Sequence, residues 1–224
     1  MRLVAYARLV EWDLLADVPR EEVSELLSIA RRRRFDRGVV VCHRGDPGDS
    51  LHLVVSGRFT VQTTTPVGDT VTVRLLGRGD IFGELALVDA APRSATVTAI
   101  EPAETFSIYA DDFHRLRGRH PAVNDVLVAL LAREVRSLSE RLLEALYVPS
   151  EKRIRRRLVE LADLYGGGEN VELPLTQAEL GEFAGVARAT VNRVLREEEK
   201  LGAVELRRGR TVVLDAGAIA RRGR

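Results

Sequence analysis

Cysteine is nearly absent from this chain: Cys42 is the single one in 224 residues. One thiol forms no internal disulfide and supplies no multi-cysteine zinc or iron–sulfur site. Long apolar runs are missing as well; none reaches the roughly 18 residues that a membrane-spanning helix needs. The first stretch, Met1 and Arg2 through Glu11 and Asp13, lacks the apolar core and small-residue cleavage site of a secretory leader. A cytoplasmic location without membrane association is expected. The histidines (His43, His52, His114 and His120) have no partners at ligand spacing, so neither a metal nor a metal-dependent hydrolytic site is expected. Cys42 beside His43 reads more simply as part of a half-buried strand, and His52 as a residue at the edge of a core. No excess of one charge sign exists over the whole chain, whose formal net charge is +1. Divided at Pro149, the first part holds 19 basic against 21 acidic residues (−2) and the rest 15 against 12 (+3). The basic excess places the search for a nucleic-acid surface at the C-terminal end.

Glycine and proline are also absent between Pro121 and Pro149, which predicts one long helix over Ala122–Val148. Leu127, Leu131, Val135, Leu138, Leu142 and Ala145 recur at helical spacing as a narrow apolar seam flanked by Arg133, Glu134, Arg136, Glu140, Arg141 and Glu144. A seam of this width suits a partner helix and hence a homodimer. Burial of the same helix inside a monomer core fits the pattern equally. Val123, Val126 and Leu130 lie off the seam, in the first half only, and are expected to pack on their own domain.

Upstream, Pro19–Arg34 reads as a helix whose buried side is Val23, Leu26, Leu27 and Ala30, with Arg31–Arg34 as a solvated last turn. From Phe35 to Tyr109 short β-rich runs alternate with glycine-bearing turns: Val39–Cys42, Leu51–Val55, Phe59–Thr63, Thr70–Leu75, Ala95–Ala99 and Thr105–Ile108. That grammar predicts an antiparallel sandwich or barrel. Within it, Gly83 permits close backbone approach, Arg93 offers a fork for a phosphate, Ser94 a hydroxyl donor and Glu84 an acceptor for a sugar hydroxyl. A surface loop with a structural Glu–Arg ion pair would use the same residues. Gly83-Glu84-Leu85-Ala86 followed by Arg93-Ser94-Ala95 resembles the phosphate-binding cassette of cyclic-nucleotide-binding domains. The resemblance implies that Glu84 takes the ribose 2′-hydroxyl and Arg93 the cyclic phosphate, assisted by Ser94 and the backbone of Gly83, Leu85 and Ala95.

The long helix then resembles the dimerisation helix of the catabolite-activator and fumarate–nitrate regulator superfamily, a likeness covering essentially the whole chain. In its cyclic-AMP-activated members, consecutive hydroxyl or amide residues late in this helix reach the adenine. Here those positions are Leu138 and Ser139. Ser139 fits; Leu138 departs from the pattern, because a leucine cannot hydrogen-bond a base. Cyclic AMP is the ligand the resemblance favours, with the base-reading half of the site altered.

Beyond Pro149 a second helix carries Ile154, Leu158 and Leu161 on its apolar side, and Gly166–Gly168 break it. Thr176 with Glu179 three residues later makes a capping box for a helix ending at Gly185, and Val186–Lys200 forms the next helix. Two helices joined by a short glycine turn are a helix-turn-helix signature, and the hairpin Gly202–Leu214 with a basic tip adds a wing. Val191, Val194 and Leu195 face inward and leave Arg188, Ala189, Asn192 and Arg193 outside. Arg188-Ala189-Thr190-Val191-Asn192-Arg193 resembles the superfamily's recognition helix. By that resemblance Arg188 grips a guanine and Arg193 a base or phosphate. Thr176, Gln177 and Thr190 are candidate phosphate contacts, as are Arg207 and Arg210 in the wing. Ala189 stands where relatives that read TGTGA half-sites carry glutamate. Arg221–Arg224 reads as a disordered tail with incidental phosphate affinity.

The expected architecture is α+β: an N-terminal cyclic-nucleotide-binding β-roll (residues 1–120), a dimerisation helix (121–148) and a C-terminal winged helix-turn-helix (149–224). The expected role is a dimeric transcription regulator that binds a double-stranded operator, contacts RNA polymerase and answers a cyclic nucleotide. Three rivals share parts of this reading: a same-fold regulator acting without nucleotide or with another ligand, a nucleotide-binding regulatory subunit acting on a protein, and a cyclic-nucleotide hydrolase.

Overall fold

The computed structural model describes residues 12–66, 68–168 and 170–224. Residues 1–11, on which the leader-peptide reading rests, lie outside the described residues. The chain forms two compact units: Met1–Thr63 with Val73–Val135, and Thr64–Thr72 with Arg136–Arg224. The division falls inside the long helix rather than at either of its ends.

Ahead of the long helix, a 3-10 turn (Asp13–Leu15) and helix α1 (Arg20–Ile29) precede strands β1 (Arg31–Phe35), β2 (Val40–Cys42), β3 (Ser50–Ser56), β4 (Phe59–Thr64) and β5 (Thr70–Leu76). Then come β6 (Ile81–Phe82), helix α2 (Glu84–Val88), β7 (Thr96–Ala99), β8 (Ala103–Tyr109) and helix α3 (Ala110–Arg119). The strands pair as two sheets, in the orders β1-β8-β3-β6 and β2-β7-β4-β5. Side chains alternate across β3. Val54 joins Phe35, Phe59, Leu76, Phe82, Val97 and Ala99 in a core fed by both sheets. Leu51, Leu53 and Val55 point the other way, into a core with Trp12, Leu14, Leu27, Phe113, Val123 and Leu127. Covered on both faces, β3 is buried from Ser50 to Val55.

The helix expected over Pro19–Arg34 stops at Ile29, and this is a correction. Ala30 is extended (φ −65°, ψ 141°), and the four arginines that follow form edge strand β1, paired antiparallel with β8 from Arg31↔Ser107 to Phe35↔Ala103. Cross-strand contacts override helix propensity here: Arg32 ion-pairs with Glu104, and Arg31 lies over the Tyr109 ring. Charged side chains on an edge strand also discourage pairing with another chain.

Helix α4 (Ala122–Tyr147) holds 26 residues, about 39 Å at 1.5 Å per residue. Val123 and Leu127 are buried in the first unit's core and Leu130 packs against it. Assigning Leu127 to the seam was therefore wrong. Two steps of four residues rotate it about 80° from Val135, whereas Val128 lies within about 20° of Val135. A stripe outside that core runs Val128, half-buried Leu131, Val135, Leu138, Leu142 and Ala145 at heptad spacing, with Val128, Val135 and Leu142 each at least 60% exposed.

In the second unit, helix α5 (Ser150–Leu164), strand β9 (Val171–Leu173), helices α6 (Gln177–Ala184) and α7 (Arg188–Lys200), strands β10 (Val204–Arg207) and β11 (Arg210–Val213), and helix α8 (Ala216–Arg222) follow in order. Ile154, Leu158, Leu161, Val191, Val194, Leu195, Val213 and Ile219 form its buried interior. The three strands pair as β10-β11-β9. Thr176 and Glu179 complete the capping box by reciprocal bonds of 3.2 and 2.6 Å. The expected disordered tail is instead helical through Arg222. Asp215 caps α8, Arg222 ion-pairs with buried Glu198, and the Gly223 carbonyl accepts from Arg156 Nε at 2.8 Å. Glu198 also binds Arg155 at 2.7 Å. Burial pushes its carboxyl up, but hydrogen bonds from Arg222 and Arg155 outweigh that and hold it below the ordinary range.

Candidate functional site

The cassette begins where β6 ends. Gly83 adopts φ 88°, and a Cβ there would stand 2.2 Å from Arg93 Nη1 and 2.8 Å from the Ser50 carbonyl. Only glycine admits both neighbours. From the other side, the main chain of Arg93 is clamped to the turn after β2: its N–H donates to Asp46 and its carbonyl accepts from Gly45, each at 2.9 Å. The side chain is 5% exposed. Its Nη1 donates to the Gly83 carbonyl at 3.2 Å and its Nη2 to Ser50 Oγ at 3.0 Å, with Asp49 Oδ1 at 3.6 Å. Arg93 Nε is buried and has no hydrogen-bond partner among the described residues. A buried cation with an unsatisfied donor is chemically suited to an anion.

Glu84 and Leu85 open α2, Leu85 exposed and Ala86 buried against Gly48. Burial pushes the Glu84 carboxyl above the ordinary carboxylate range; Arg74 draws it down, and the charge of Glu134 pushes it further up. Ser94 is exposed and Ala95 half-buried, both following Arg93 before β7. This first unit therefore brings together Gly83, Glu84, Leu85, Ala86, Arg93, Ser94 and Ala95. Leu138 and Ser139 belong to the second unit, both exposed on α4.

Sequence reasoning missed Asp49 and Ser50, which meet Arg93 at the start of β3, and Arg74, whose charge acts on Glu84; none leaves a local motif. His52, taken as a core-edge residue, is buried in β3, stacked on Phe82 (4.6 Å, 4°) with Nδ1 3.0 Å from Thr105 Oγ1. Burial, then the charges of Arg93 and Arg33, hold its pKa down to about 3. Cys42 is half-buried, its thiol pushed up by burial. Among the described residues no group of three or more His, Cys, Asp or Glu could hold a metal ion, and no helix is long and apolar enough to cross a membrane.

In the second unit, the turn between α6 and α7 is built by two glycines. Gly185 caps α6 at φ 62°, and a Cβ on Gly181 would meet the Val186 carbonyl at 2.8 Å. The N-terminal residues of α7, Arg188 and Ala189, are exposed, and Thr190 is half-buried. Asn192 Nδ2 donates to Gln177 Oε1 at 3.0 Å, fixing α7 to the start of α6. Thr176, Gln177, Arg188, Asn192, Arg207 and Arg210 line one cleft of about 540 Å³ between the helices and the wing. Ala189, Thr190 and Arg193 lie outside its lining. Arg193 instead pairs with Glu151 at 2.6 Å and Glu197 at 3.5 Å.

Known proteins share both halves. Residues 32–120 match the family model of the cyclic nucleotide-binding domain, and residues 152–222 that of the Crp-like helix-turn-helix domain. The chain is 35% identical over 199 residues to the cyclic AMP receptor protein of Thermus thermophilus, covering 89% of this chain and 91% of that one. It is 29% identical over 194 residues to a CRP-like cAMP-activated global transcriptional regulator of Mycobacterium tuberculosis, covering 85% and 87%. Its fold is similar to that of the c-di-GMP-responsive global regulator CLP of Xanthomonas campestris, with a TM-score of 0.75 at 20% identity over 88% of this chain and 99% of that one.

Proposed function

The chain belongs to the Crp/Fnr superfamily of transcription regulators rather than to an enzyme family, and we propose that it works as a homodimer whose operator binding is set by a cyclic nucleotide, with cyclic AMP favoured. The observation that carries the ligand reading is Arg93: a residue 6% exposed whose buried Nε has no hydrogen-bond partner among the described residues. Arg93 would hold the cyclic phosphate, Ser94 would add a donor, and Glu84 would accept from the ribose hydroxyl. Leu138 and Ser139 stand at the base-reading positions on α4. The exposed apolar stripe Val128–Ala145 supports pairing of two α4 helices, and a two-fold axis would place operator half-sites about one helical turn apart. On α7, Arg188 is the proposed base reader, with Ala189, Thr190, Asn192 and Arg193 around it. Thr176, Gln177, Arg207 and Arg210 would hold phosphates, and RNA polymerase is the proposed partner of the DNA-bound form. The relatives named as a cyclic AMP receptor protein and as a cAMP-activated global transcriptional regulator support the same reading.

A second reading, a regulator that binds DNA without nucleotide, is favoured by one residue. Leu138 offers the base no hydrogen bond.

Calorimetry with cyclic AMP and cyclic GMP, beside operator selection with and without nucleotide, tests both. Arg93→Leu removes the anion's partner and is expected to abolish nucleotide binding while the dimer stays folded; undiminished affinity would refute the cassette assignment. Arg188→Ala is expected to cost about 1–3 kcal/mol per half-site and to relax selection at one G·C pair.

A further inference from the structure

The register of the wing puts four charges on one face. Arg207 and Arg210 are direct cross-strand partners, and Glu205, Val212 and Glu172 form the next row across the sheet. Residues two apart on a strand share a face, so Glu205 lies beside Arg207 and Glu172 beside Arg210. Two arginines directly opposed repel; here each is met by a carboxylate. Arg207 Nε and Nη2 bind the two oxygens of Glu205 at 2.9 and 3.0 Å. Arg210 Nη1 binds Glu172 at 2.6 Å, and Glu172 also lies 3.9 Å from Arg207. The same device recurs on the recognition helix, where Glu151 holds Arg193. Arg188 differs: among the described residues it has no ion pair.

We propose that Glu172, Glu205 and Glu151 are specificity-determining residues that mask the DNA-facing arginines Arg210, Arg207 and Arg193, while Arg188, with no ion pair among the described residues, stays free to read a base. The proposal rests on the reading that this face binds duplex DNA. A phosphate must displace a carboxylate that already satisfies the same guanidinium fork. Sequence-independent attraction is thereby reduced at each masked arginine, whereas the base contact of Arg188 is not. The ratio of operator to random-sequence affinity rises as a result, since that ratio is set against a large excess of competing sites. Hydrogen bonds from their arginines hold the Glu151 carboxyl down to about 2 and that of Glu205 below the ordinary range, so both masks are charged at neutral pH.

The test uses the full chain with cyclic AMP, a random-sequence duplex and an operator selected by the parent protein, across a range of salt concentrations. Glu172→Gln and Glu205→Gln keep side-chain volume at exposed positions and remove only the charge. Each is expected to tighten random-duplex binding about 2–5-fold, the range of an exposed ion pair. The slope of log affinity against log salt should steepen by up to about 0.9 per unmasked arginine. The operator-to-random ratio should fall. A parent that selects an operator, with variants unchanged in random-duplex affinity and salt slope, would overturn the masking alone. A parent that binds no duplex at all would overturn the masking and the DNA reading together.

Discussion

His52 shows how one buried side chain ties the stability of the first unit to pH. Its ring is stacked on Phe82, contacts Thr105 Oγ1 at 3.0 Å and stays neutral because burial and Arg93 hold its pKa at about 3. In the unfolded chain the ring titrates near its ordinary 6.5. Above pH 6.5 neither state takes the proton. As pH falls below that value the unfolded state gains it and the folded state does not, so stability declines until about pH 3. Each pH unit in this window is worth at most about 1.4 kcal/mol. The lone tryptophan, Trp12, lies in the core on the other face of β3 and reports on unfolding of the same unit, its indole N–H donating to the Val54 carbonyl at 3.1 Å. Urea unfolding followed by its fluorescence between pH 7.5 and 4 is expected to show this decline in the parent and a flatter limb in His52→Gln. Parallel limbs would mean that other groups titrate. The sequence could not announce this role. A histidine in a strand becomes a buried neutral ring only once β6 and β8 lie on either side of β3. Gly83, Glu84, Arg93 and Ser94 were legible for the opposite reason: the requirement for a bare backbone, a carboxylate and a fork falls within twelve consecutive residues.

At the scale of elements, the long helix divides its apolar residues between two tasks, and substitutions should separate them. Leu127 is 3% exposed in the first unit's core, while Leu142 is 60% exposed on the stripe. Leu127→Ala leaves a cavity and is expected to lower unfolding stability by about 2–5 kcal/mol. Leu142→Glu leaves that core intact and is expected to abolish self-association, read by sedimentation, with secondary structure unchanged. A Leu142→Glu protein that sediments as the parent does would remove the stripe as the dimer contact. Helix periodicity made α4 legible over nearly its whole length but put Leu127 on the seam and left out Val128; the 4,4 step looks apolar on paper but turns about 80° off the stripe. Strand β1 was illegible because four consecutive arginines carry no alternation of polarity. Their pairing with Glu104 and Tyr109 comes from a strand some 70 residues later. The two-residue β6 was too short to show a pattern, whereas strands β2 to β5, β7 and β8 were legible because each is bounded by its own turn. So was the helix pair α6–α7, through the Thr176 capping box and Gly185.

For the whole molecule, the question is what couples the ligand to DNA, and Leu138 gives the sharpest test. Leu138 is 45% exposed on the α4 stripe, so a partner helix would cover it. Burying a leucine is worth about 1.5–3 kcal/mol. A hydroxyl at the same position would forfeit much of that and gain one hydrogen bond to a base, about 0.5–1.5 kcal/mol net. Packing outweighs base recognition at this position, and it acts whether or not nucleotide is present. A ligand shifts an equilibrium only by its differential affinity for the two states. In the proposed dimer, leucine packing would therefore leave cyclic AMP less to do. The parent is expected to bind operator partly without nucleotide and to discriminate cyclic AMP poorly from cyclic GMP. Leu138→Thr is expected to lower operator affinity of the ligand-free protein and to increase the factor by which cyclic AMP raises it. Operator affinity of both proteins, each with and without cyclic AMP, decides the matter. A parent inert without nucleotide and sharply switched on by it would refute this account and assign base recognition to Ser139 or another group.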